Sequence, residues 1–381
     1  MTPETSTIET TTLSVEPLFS PFPWGGRNLR NRIVMAPMTR SQSPGKVPGP
    51  DVAAYYRRRA EGGTGLIITE GTNPDHPAAS AYPNVPGFYG EEGLVGWKHV
   101  ADEVHAAGAA IIPQLWHCGS VRTQGMEPDP AVPGFAPSAI RHPLHDGDGE
   151  VPHEMTQADI DETIASFVRS AVSARELGFD GVELHGAHGY LIDQFFWGVT
   201  NQRTDRYGGS FTKRLTFAVE LIRSIRAAVG PAFQVVFRFS QWKLGNFECK
   251  LASNAAELDR FLTPLVEAGV DVFHASTRRF NDPEFEGSDL NLAGWTKKIT
   301  GLPAITVGSV GLDLDFLRST GGGEAHKVGL DALVRRLWCE EFDLVAVGRG
   351  LLSDPAWARK LQDGREEEIV AFEPKHMSIF E

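Results

Sequence analysis

The fold is decided by a unit that reads FTKRLTFAVELIRSIRAAVG over residues 211–230 and continues after two residues into the apolar run Phe233–Phe239. In the first part, apolar residues recur every three or four positions, which is the spacing of one helix face. Ser210 can cap this helix and Gly230 can end it. The second part is apolar nearly throughout, which is typical of a parallel strand covered on both faces. The stretch therefore predicts a helix followed by a buried strand.

The same alternation runs along the whole chain. Further helices are predicted at Asp51–Glu61, Val95–Ala107, Asp159–Leu177 and Glu257–Ala268. The predicted strands, eight in all, are Arg32–Pro37, Gly65–Gly71, Ala109–Trp116, Gly181–His185, Phe233–Phe239, Val270–Ala275, Ala304–Val310 and Leu344–Gly348. Eight such units indicate an α/β fold, a single (β/α)8 TIM barrel. An open doubly wound sheet usually carries Gly-x-Gly-x-x-Gly after its first strand, and this chain has no such turn there.

The domain boundaries follow from the same reading. We expect residues 1–17 to be a disordered tail, residues 18–365 to form the barrel and residues 366–381 to be a C-terminal tail. Gly25-Gly26 predicts an N-terminal β-hairpin that closes the bottom of the barrel. Long loops are predicted at the C-terminal rim, where barrel active sites are built, at Asn73–Gly93, Thr123–Met155 and Thr277–Gly301.

Composition excludes several classes of function. The 36 basic and 49 acidic residues give a net charge of −13, which disfavours nucleic acid or an anionic membrane as a partner. The three cysteines are isolated and form no Cys-x-x-Cys pair, so a thiolate zinc site or an iron–sulfur cluster is not expected. With no signal peptide and no apolar run of about 18–20 residues, the sequence predicts a cytoplasmic protein.

Polar residues concentrate where the predicted strands end. The glycine turns Gly308-Ser309 and Gly348-Arg349 end strands 7 and 8, which form the usual phosphate site of such barrels, although these glycines could also serve the turns alone. Gln114 and Arg238 end two further strands. A buried arginine needs an anionic partner, either a bound anion or a carboxylate such as Glu183 or Glu70.

His185, His188 and Tyr190 form the most distinctive cluster. A His-x-x-His pair can bind a metal, but such pairs usually lie on a helix with a third ligand, and none is apparent here. Two neutral histidines and a phenol are suited to binding a carbonyl oxygen and delivering a proton. We therefore expect no metal, and a purely structural role is the remaining alternative.

Taken together, these residues resemble the old yellow enzyme family. The matching segments cover about residues 18–360 and are Arg32–Arg40, Gly71-Thr72, Tyr82–Gly87, Gln114–Trp116, His185–Phe196, Asn201–Ser210 and Ala346–Arg349. The run from His185 to Tyr190, joined to Arg-Thr-Asp-x-Tyr-Gly-Gly-Ser, is the most specific of them. The chain departs from the commonest family pattern at Gln241-Trp242, where many relatives have a proline, and in the long connection Leu312–Arg335.

The resemblance implies non-covalently bound FMN and NAD(P)H as the reductant. The implied flavin-binding residues are Pro37, Met38, Thr39, Gly71, Gln114, Arg238, Gly308, Ser309, Gly348 and Arg349. His185 and His188 would bind the carbonyl oxygen of the substrate, Tyr190 would donate the proton, and Tyr82 and Trp116 would line the substrate side.

The activity implied is reduction of the activated C=C bond of an α,β-unsaturated carbonyl or nitro compound, with hydride from flavin N5 and a proton from Tyr190. A flavin-binding sensor or scaffold without turnover, and an iron–sulfur-free relative of dienoyl-CoA reductases, are the alternatives. The partner expected is a small enone-type molecule, and the protein is expected to be a monomer or a homodimer.

Overall fold

The computed structural model describes residues 13–145, 149–321 and 323–381. Most of the predicted disordered tail, residues 1–12, lies outside the described residues, and Glu16–Phe19 forms a 3-10 turn. The strands are β1 Phe22–Trp24, β2 Arg27–Leu29, β3 Ile33–Met35, β4 Leu66–Thr72, β5 Ala110–Leu115, β6 Phe135–Ala136, β7 His153–Glu154, β8 Gly181–His188, β9 Gln234–Lys243, β10 Val272–Ser276, β11 Ala304–Val307 and β12 Leu344–Val347. The helices are α1 Pro50–Glu61, α2 Glu91–Ala106, α3 Gln157–Glu176, α4 Leu191–Phe196, α5 Phe211–Arg214, α6 Thr216–Val229, α7 Ala255–Ala268, α8 Leu292–Thr300, α9 Phe316–Thr320, α10 Asp331–Trp338, α11 Arg349–Ser353 and α12 Trp357–Gln362.

Eight of the strands close into a parallel barrel in the order β3-β4-β5-β8-β9-β10-β11-β12. Each coincides with one of the eight runs predicted from the sequence, so the (β/α)8 TIM barrel is confirmed. The strands are buried on both faces, as their continuous apolar runs predicted. Because all eight run in the same direction, their carboxyl ends meet at one rim, and that rim positions the candidate site.

The antiparallel hairpin β1–β2 closes the opposite end of the barrel. Phe22, Trp24 and Leu29 belong to the same apolar cluster as the inward-facing side chains of the barrel strands. The indole Nε1 of Trp24 donates to the carbonyl oxygen of Asp180 (2.9 Å), just before β8 begins. The predicted hairpin cap is therefore confirmed.

Several predicted elements differ in detail. Helix α2 begins at Glu91 rather than at Val95, and the predicted loop Thr123–Met155 contains the short strands β6 and β7. The helix predicted from residue 211 divides into α5 and α6, because the N–H of Leu215 bonds to Thr212, three residues back, and tightens the first turn. The predicted loop Thr277–Gly301 ends in helix α8, which Asn291 caps by accepting a hydrogen bond from the N–H of Gly294 (2.8 Å). That cap was overlooked in a segment otherwise rich in turn residues.

Residues 366–381 lie against the barrel. Phe372 and His376 are buried, and the ring of Phe380 stacks on Tyr55 of α1 with the ring centroids 4.6 Å apart. The boundary at residue 365 stays a prediction. In the described part of the chain, no helix combines the length and apolarity needed to cross a bilayer.

Candidate active site

A cavity of about 360 Å³ opens at the carboxyl ends of the barrel strands, and all eight strands or the residues that follow them contribute to its wall. Its volume lies within the range of about 300–1,000 Å³ that is usual for small-molecule sites. The wall contains all but one of the residues predicted from the sequence, namely Pro37, Met38, Thr39, Gly71, Gln114, Trp116, His185, His188, Tyr190, Arg238, Gly308, Ser309, Gly348 and Arg349. The exception, Tyr82, lies behind Tyr190, and their hydroxyl oxygens are 3.2 Å apart.

Arg238 is a buried cation without a carboxylate partner among the described residues. Its side chain is 7% exposed, Nη2 donates to Ser276 Oγ (3.2 Å), and Nε has no protein partner. Both carboxylates considered from the sequence are engaged elsewhere: Glu183 bonds to Gln114 and His274, and Glu70 accepts backbone N–H groups. Burial lowers the pKa of Arg238, and nearby Glu183 raises it. The buried guanidinium of Arg238 therefore still requires an anion or a hydrogen-bond acceptor.

Gln114 lies on the strand next to β8. Its Nε2 donates to Glu183 Oε1 (2.7 Å), and the other carboxylate oxygen bonds to His274 Nδ1 (2.7 Å). This arrangement fixes the orientation of the amide and leaves its oxygen as the remaining acceptor. A ligand with a donor beside an anionic or carbonyl edge would satisfy Gln114 and Arg238 together.

The turns after β11 and β12 lie on the other side of the cavity. Gly308 has φ +131°, and an added Cβ would lie 2.6 Å from the carbonyl oxygen of Thr277, so only glycine fits. Arg349 is 7% exposed, and its Nη atoms donate to three neutral oxygens, Ser319 Oγ, Ser309 Oγ and Leu314 O. Burial lowers the pKa of Arg349, and the nearby Asp315 and Asp313 raise it. A buried arginine beside close-fitting glycine turns is chemically suited to holding a phosphate group.

His185, His188 and Tyr190 line a third part of the wall. The two imidazole centroids are 5.1 Å apart, and the phenol ring meets His185 edge-on at 5.0 Å. Burial and the charge of Arg238 hold the pKa of both histidines well below 6.5. Burial raises the pKa of Tyr190 well above 10. At neutral pH the site therefore presents two neutral imidazoles and a protonated phenol.

Local backbone structure places this cluster. The β8–β9 register shifts between Gly186 and His188, and His188 takes a left-handed φ of +64°. The N–H of Gly189 donates to Asp193 Oδ2 (2.7 Å), and Asp193 Oδ1 bonds to the buried Lys243 Nζ (2.5 Å). This ion pair anchors the turn between His188 and Tyr190 from behind.

Aromatic rings pack together around Trp116 in another part of the site. Trp116 stacks on Tyr82 with centroids 5.4 Å apart, on His185 at 5.9 Å, and meets Tyr190 edge-on at 4.9 Å. Gly71 makes room for it, because a Cβ there would lie 2.3 Å from Trp116 Cε3. Trp116 is thus packed against three other rings of the site.

Several wall residues were missed by the sequence analysis. Ser276 is the last residue of β10 and Arg278 follows it two residues later. Trp242 stacks on His188 with centroids 4.2 Å apart and planes 14° apart. Met377 reaches the cavity from the C-terminal segment. Of these residues, only Ser276 and Arg278 could be predicted from the sequence, because residues at strand ends line the site of a barrel.

The described residues contain no cluster of three or more histidine, cysteine, aspartate or glutamate side chains placed to hold a metal ion. The closed parallel barrel, with a cavity lined from all eight strand ends, defines the class: a (β/α)8-barrel protein whose site lies at the C-terminal rim. A sequence model of the NADH:flavin oxidoreductase / NADH oxidase family matches residues 17–323. The chain belongs to this family, and the resemblance to old yellow enzyme is thereby confirmed.

Individual relatives agree with that assignment. The chain is 36% identical over 365 residues to an NADH oxidase of Thermoanaerobacter brockii, covering 92% of this chain and 52% of that protein. It is 42% identical over 232 residues to 12-oxophytodienoate reductase 7 of Oryza sativa subsp. japonica, covering 59% of this chain and 58% of that protein. These alignments thus span little more than half the length of the curated relatives.

Solved structures of morphinone reductase share the fold. One of them, in complex with tetrahydroNAD, superposes with a TM-score of 0.76 at 30% sequence identity. The superposition covers 94% of this chain and 93% of the other.

Proposed function

We propose that this protein is an FMN-dependent oxidoreductase that uses NAD(P)H to reduce the activated C=C bond of α,β-unsaturated carbonyl or nitro compounds. The observation that carries the proposal is a cavity that joins a neutral histidine pair and a protonated Tyr190 to the buried Arg238, which has no carboxylate partner in the described part of the chain. The names of the relatives, NADH oxidase and two kinds of reductase, support it.

The residues present fit FMN. Arg238 and Gln114 would bind the pyrimidine edge, where an anion or carbonyl oxygen meets the unmet donors of the arginine. The ribityl phosphate would be held by Gly308, Ser309, Gly348 and Arg349, and the ring would lie against Pro37, Met38, Thr39 and Gly71. When bound, FMN supplies the hydride-transfer chemistry that no side chain of the chain can provide.

His185 and His188 would bind the carbonyl or nitro oxygen of the substrate. Because both rings are neutral, each has one N–H to donate and needs no proton from solvent. Their donation would stabilise the negative charge that develops on that oxygen during reduction. By analogy with oxyanion-hole donors, one such hydrogen bond contributes about 3–4 kcal/mol.

Tyr190 would deliver the proton to the α-carbon. Its hydroxyl stays protonated because burial raises its pKa, and Tyr82 lies within hydrogen-bond distance of the same oxygen. Tyr82 can therefore hold the Tyr190 hydroxyl in place. Trp116, packed against both tyrosines, excludes water from the path of the proton.

The visible spectrum gives the first test. The purified protein should be yellow, and titration with a simple phenol should produce a long-wavelength charge-transfer band as the phenolate is bound by the two histidines. NADPH should bleach the flavin and an enone should restore its colour. A colourless protein that cannot be reconstituted with FMN contradicts the proposal, and bleaching without reoxidation by any enone would favour a flavin-binding protein without turnover.

The Tyr190→Phe variant gives the second test. We expect enone reduction to slow by about 10²-fold or more, which is the usual contribution of a positioned general acid, while flavin reduction by NAD(P)H is nearly intact. Tyr89→Phe makes the same chemical change outside the cavity wall and should leave both half-reactions unchanged. Equal loss in both half-reactions of Tyr190→Phe would remove it from the role of proton donor.

A further inference from the structure

Ser276 contacts both Arg238 and His188 in the cavity wall. It is the last residue of β10, is 3% exposed, and pairs in register with Ser240 of β9. Its Oγ lies 3.2 Å from Arg238 Nη2 and 2.8 Å from His188 Nε2. The flavin-side arginine and the substrate-side histidine therefore share one hydroxyl group.

The direction of these hydrogen bonds follows from the chemistry of the three groups. A guanidinium can only donate, so Ser276 Oγ accepts from Arg238. The hydroxyl has one hydrogen of its own, and a buried hydroxyl hydrogen requires an acceptor. Within the described chain, the remaining polar atom bonded to Oγ is His188 Nε2. If His188 Nε2 takes this hydrogen, donation runs from Arg238 to Ser276 and from Ser276 to His188.

We infer that Ser276 is a positioning residue that fixes His188 in the tautomer with its proton on Nδ1. With Nε2 occupied as the acceptor, Nδ1–H is the one donor that the neutral ring can offer. The assignment of a substrate oxygen as its partner rests on the proposed function, whereas the tautomer itself does not.

Two further contacts support the inference. Trp242 stacks on the His188 ring with planes 14° apart, and the N–H of His188 donates to Ser240 Oγ (2.9 Å), so both the plane and the backbone of this residue are held. Burial and the neighbouring Arg238 keep the pKa of His188 well below 6.5, so the ring is neutral and its tautomer matters. In the opposite tautomer, Nδ1 would present a lone pair to a substrate oxygen and repel it.

The tautomer can be read directly. Long-range ¹H–¹⁵N spectra of the FMN-loaded, ¹⁵N-histidine-labelled protein report which ring nitrogen carries the proton, and His188→Gln identifies the signals. We expect a protonated Nδ1 in the wild type, a mixed or reversed tautomer in Ser276→Ala, and recovery in Ser276→Thr, which keeps the hydroxyl. A protonated Nε2 in the wild type, or an unchanged tautomer in Ser276→Ala, overturns the inference.

Ser240→Ala is the matched comparison, because Ser240 holds the His188 backbone rather than its ring. We expect this variant to keep the Nδ1–H tautomer. If Ser240→Ala reverses the tautomer as completely as Ser276→Ala does, then Ser276 contributes only packing, and the inference is overturned. Phenol affinity gives an independent measurement, with Ser276→Ala expected to be about tenfold weaker, equivalent to about 1.4 kcal/mol. Failure of enone reduction with an intact Nδ1–H signal would refute the proposed function alone.

Discussion

Glu70 offers a test of the site through stability. Its side chain is 1% exposed, Oε2 accepts the N–H groups of Arg40 (2.9 Å) and Ser41 (3.0 Å), and Oε1 has no partner among the described residues. It thus holds the backbone directly after Thr39 at the cavity wall. Burial raises its pKa from 4.5 to about 7, against the opposing effect of those two hydrogen bonds.

The sign of the effect follows from that shift. Because the folded pKa is raised, the folded state favours the protonated carboxyl, and its contribution to stability is complete below about pH 4.5 and lost as the pH rises through about 7. A shift of about 2.5 units at 1.36 kcal/mol per unit amounts to about 3 kcal/mol. For a chain of 381 residues, an unfolding entropy of about 2.1 cal/mol/K per residue converts this to about 4 °C.

We therefore expect Glu70→Gln to raise the melting temperature by up to about 4 °C at pH 8 and by only about 1 °C at pH 5. Glutamine keeps the shape and the acceptor oxygen but cannot ionise. Differential scanning calorimetry of the FMN-loaded protein at both pH values measures the difference, and the exposed Glu286→Gln is the control. A difference that does not depend on pH, or a lower melting temperature at pH 8, would refute this reasoning.

Three other predictions concern the cavity. The rate constant for enone reduction by the pre-reduced Glu70→Gln variant, in which the carboxyl beside Thr39 cannot ionise, should be nearly constant from about pH 6 to 9, because burial holds the pKa of both cavity histidines well below 6.5 and that of Tyr190 well above 10. A limb near pH 6.5 in stopped-flow data would contradict this. Gly71→Ala should destabilise by about 1–3 kcal/mol and weaken phenol binding, since its Cβ would lie 2.3 Å from Trp116; a melting temperature and an affinity equal to those of the wild type would count against it. Lys243→Met should lower the free energy of unfolding by about 3–5 kcal/mol, because it leaves Asp193 buried without its ion-pair partner. Adding Asp193→Leu should recover most of that loss in denaturant titrations. A double variant that is no more stable than the single variant would contradict this reasoning.

The barrel could be predicted because its signal is local. Most of the barrel strands are short apolar runs preceded by a helix that ends at or beside a glycine, and such runs are typical of parallel strands covered on both faces. The extensions were not visible: β8 continues to His188 and β9 to Lys243, beyond the apolar runs, because the two strands pair with each other across a register shift. Pairing between segments far apart in the sequence can extend a strand through polar residues that have a low intrinsic strand propensity.

The candidate site divides in the same way. Residues at the ends of predicted strands, such as Gln114 and Arg238, were found because topology alone brings them to one rim. Ser276 was accessible to that same logic and was overlooked. Trp242 and Met377 were not accessible, because the first depends on stacking against a strained histidine and the second on how a distant segment lies across the rim.

The barrel closes where β12 lies beside β3, with Val347 paired to Met35, so the earliest and latest barrel strands meet at a seam. Met38 and Gly348 emerge side by side from that seam, and a Cβ on the glycine would lie 3.3 Å from the methionine sulfur. A cofactor in contact with both residues would bridge the first and last strands of the barrel. By mass action, binding of such a cofactor would stabilise the closed barrel against unfolding.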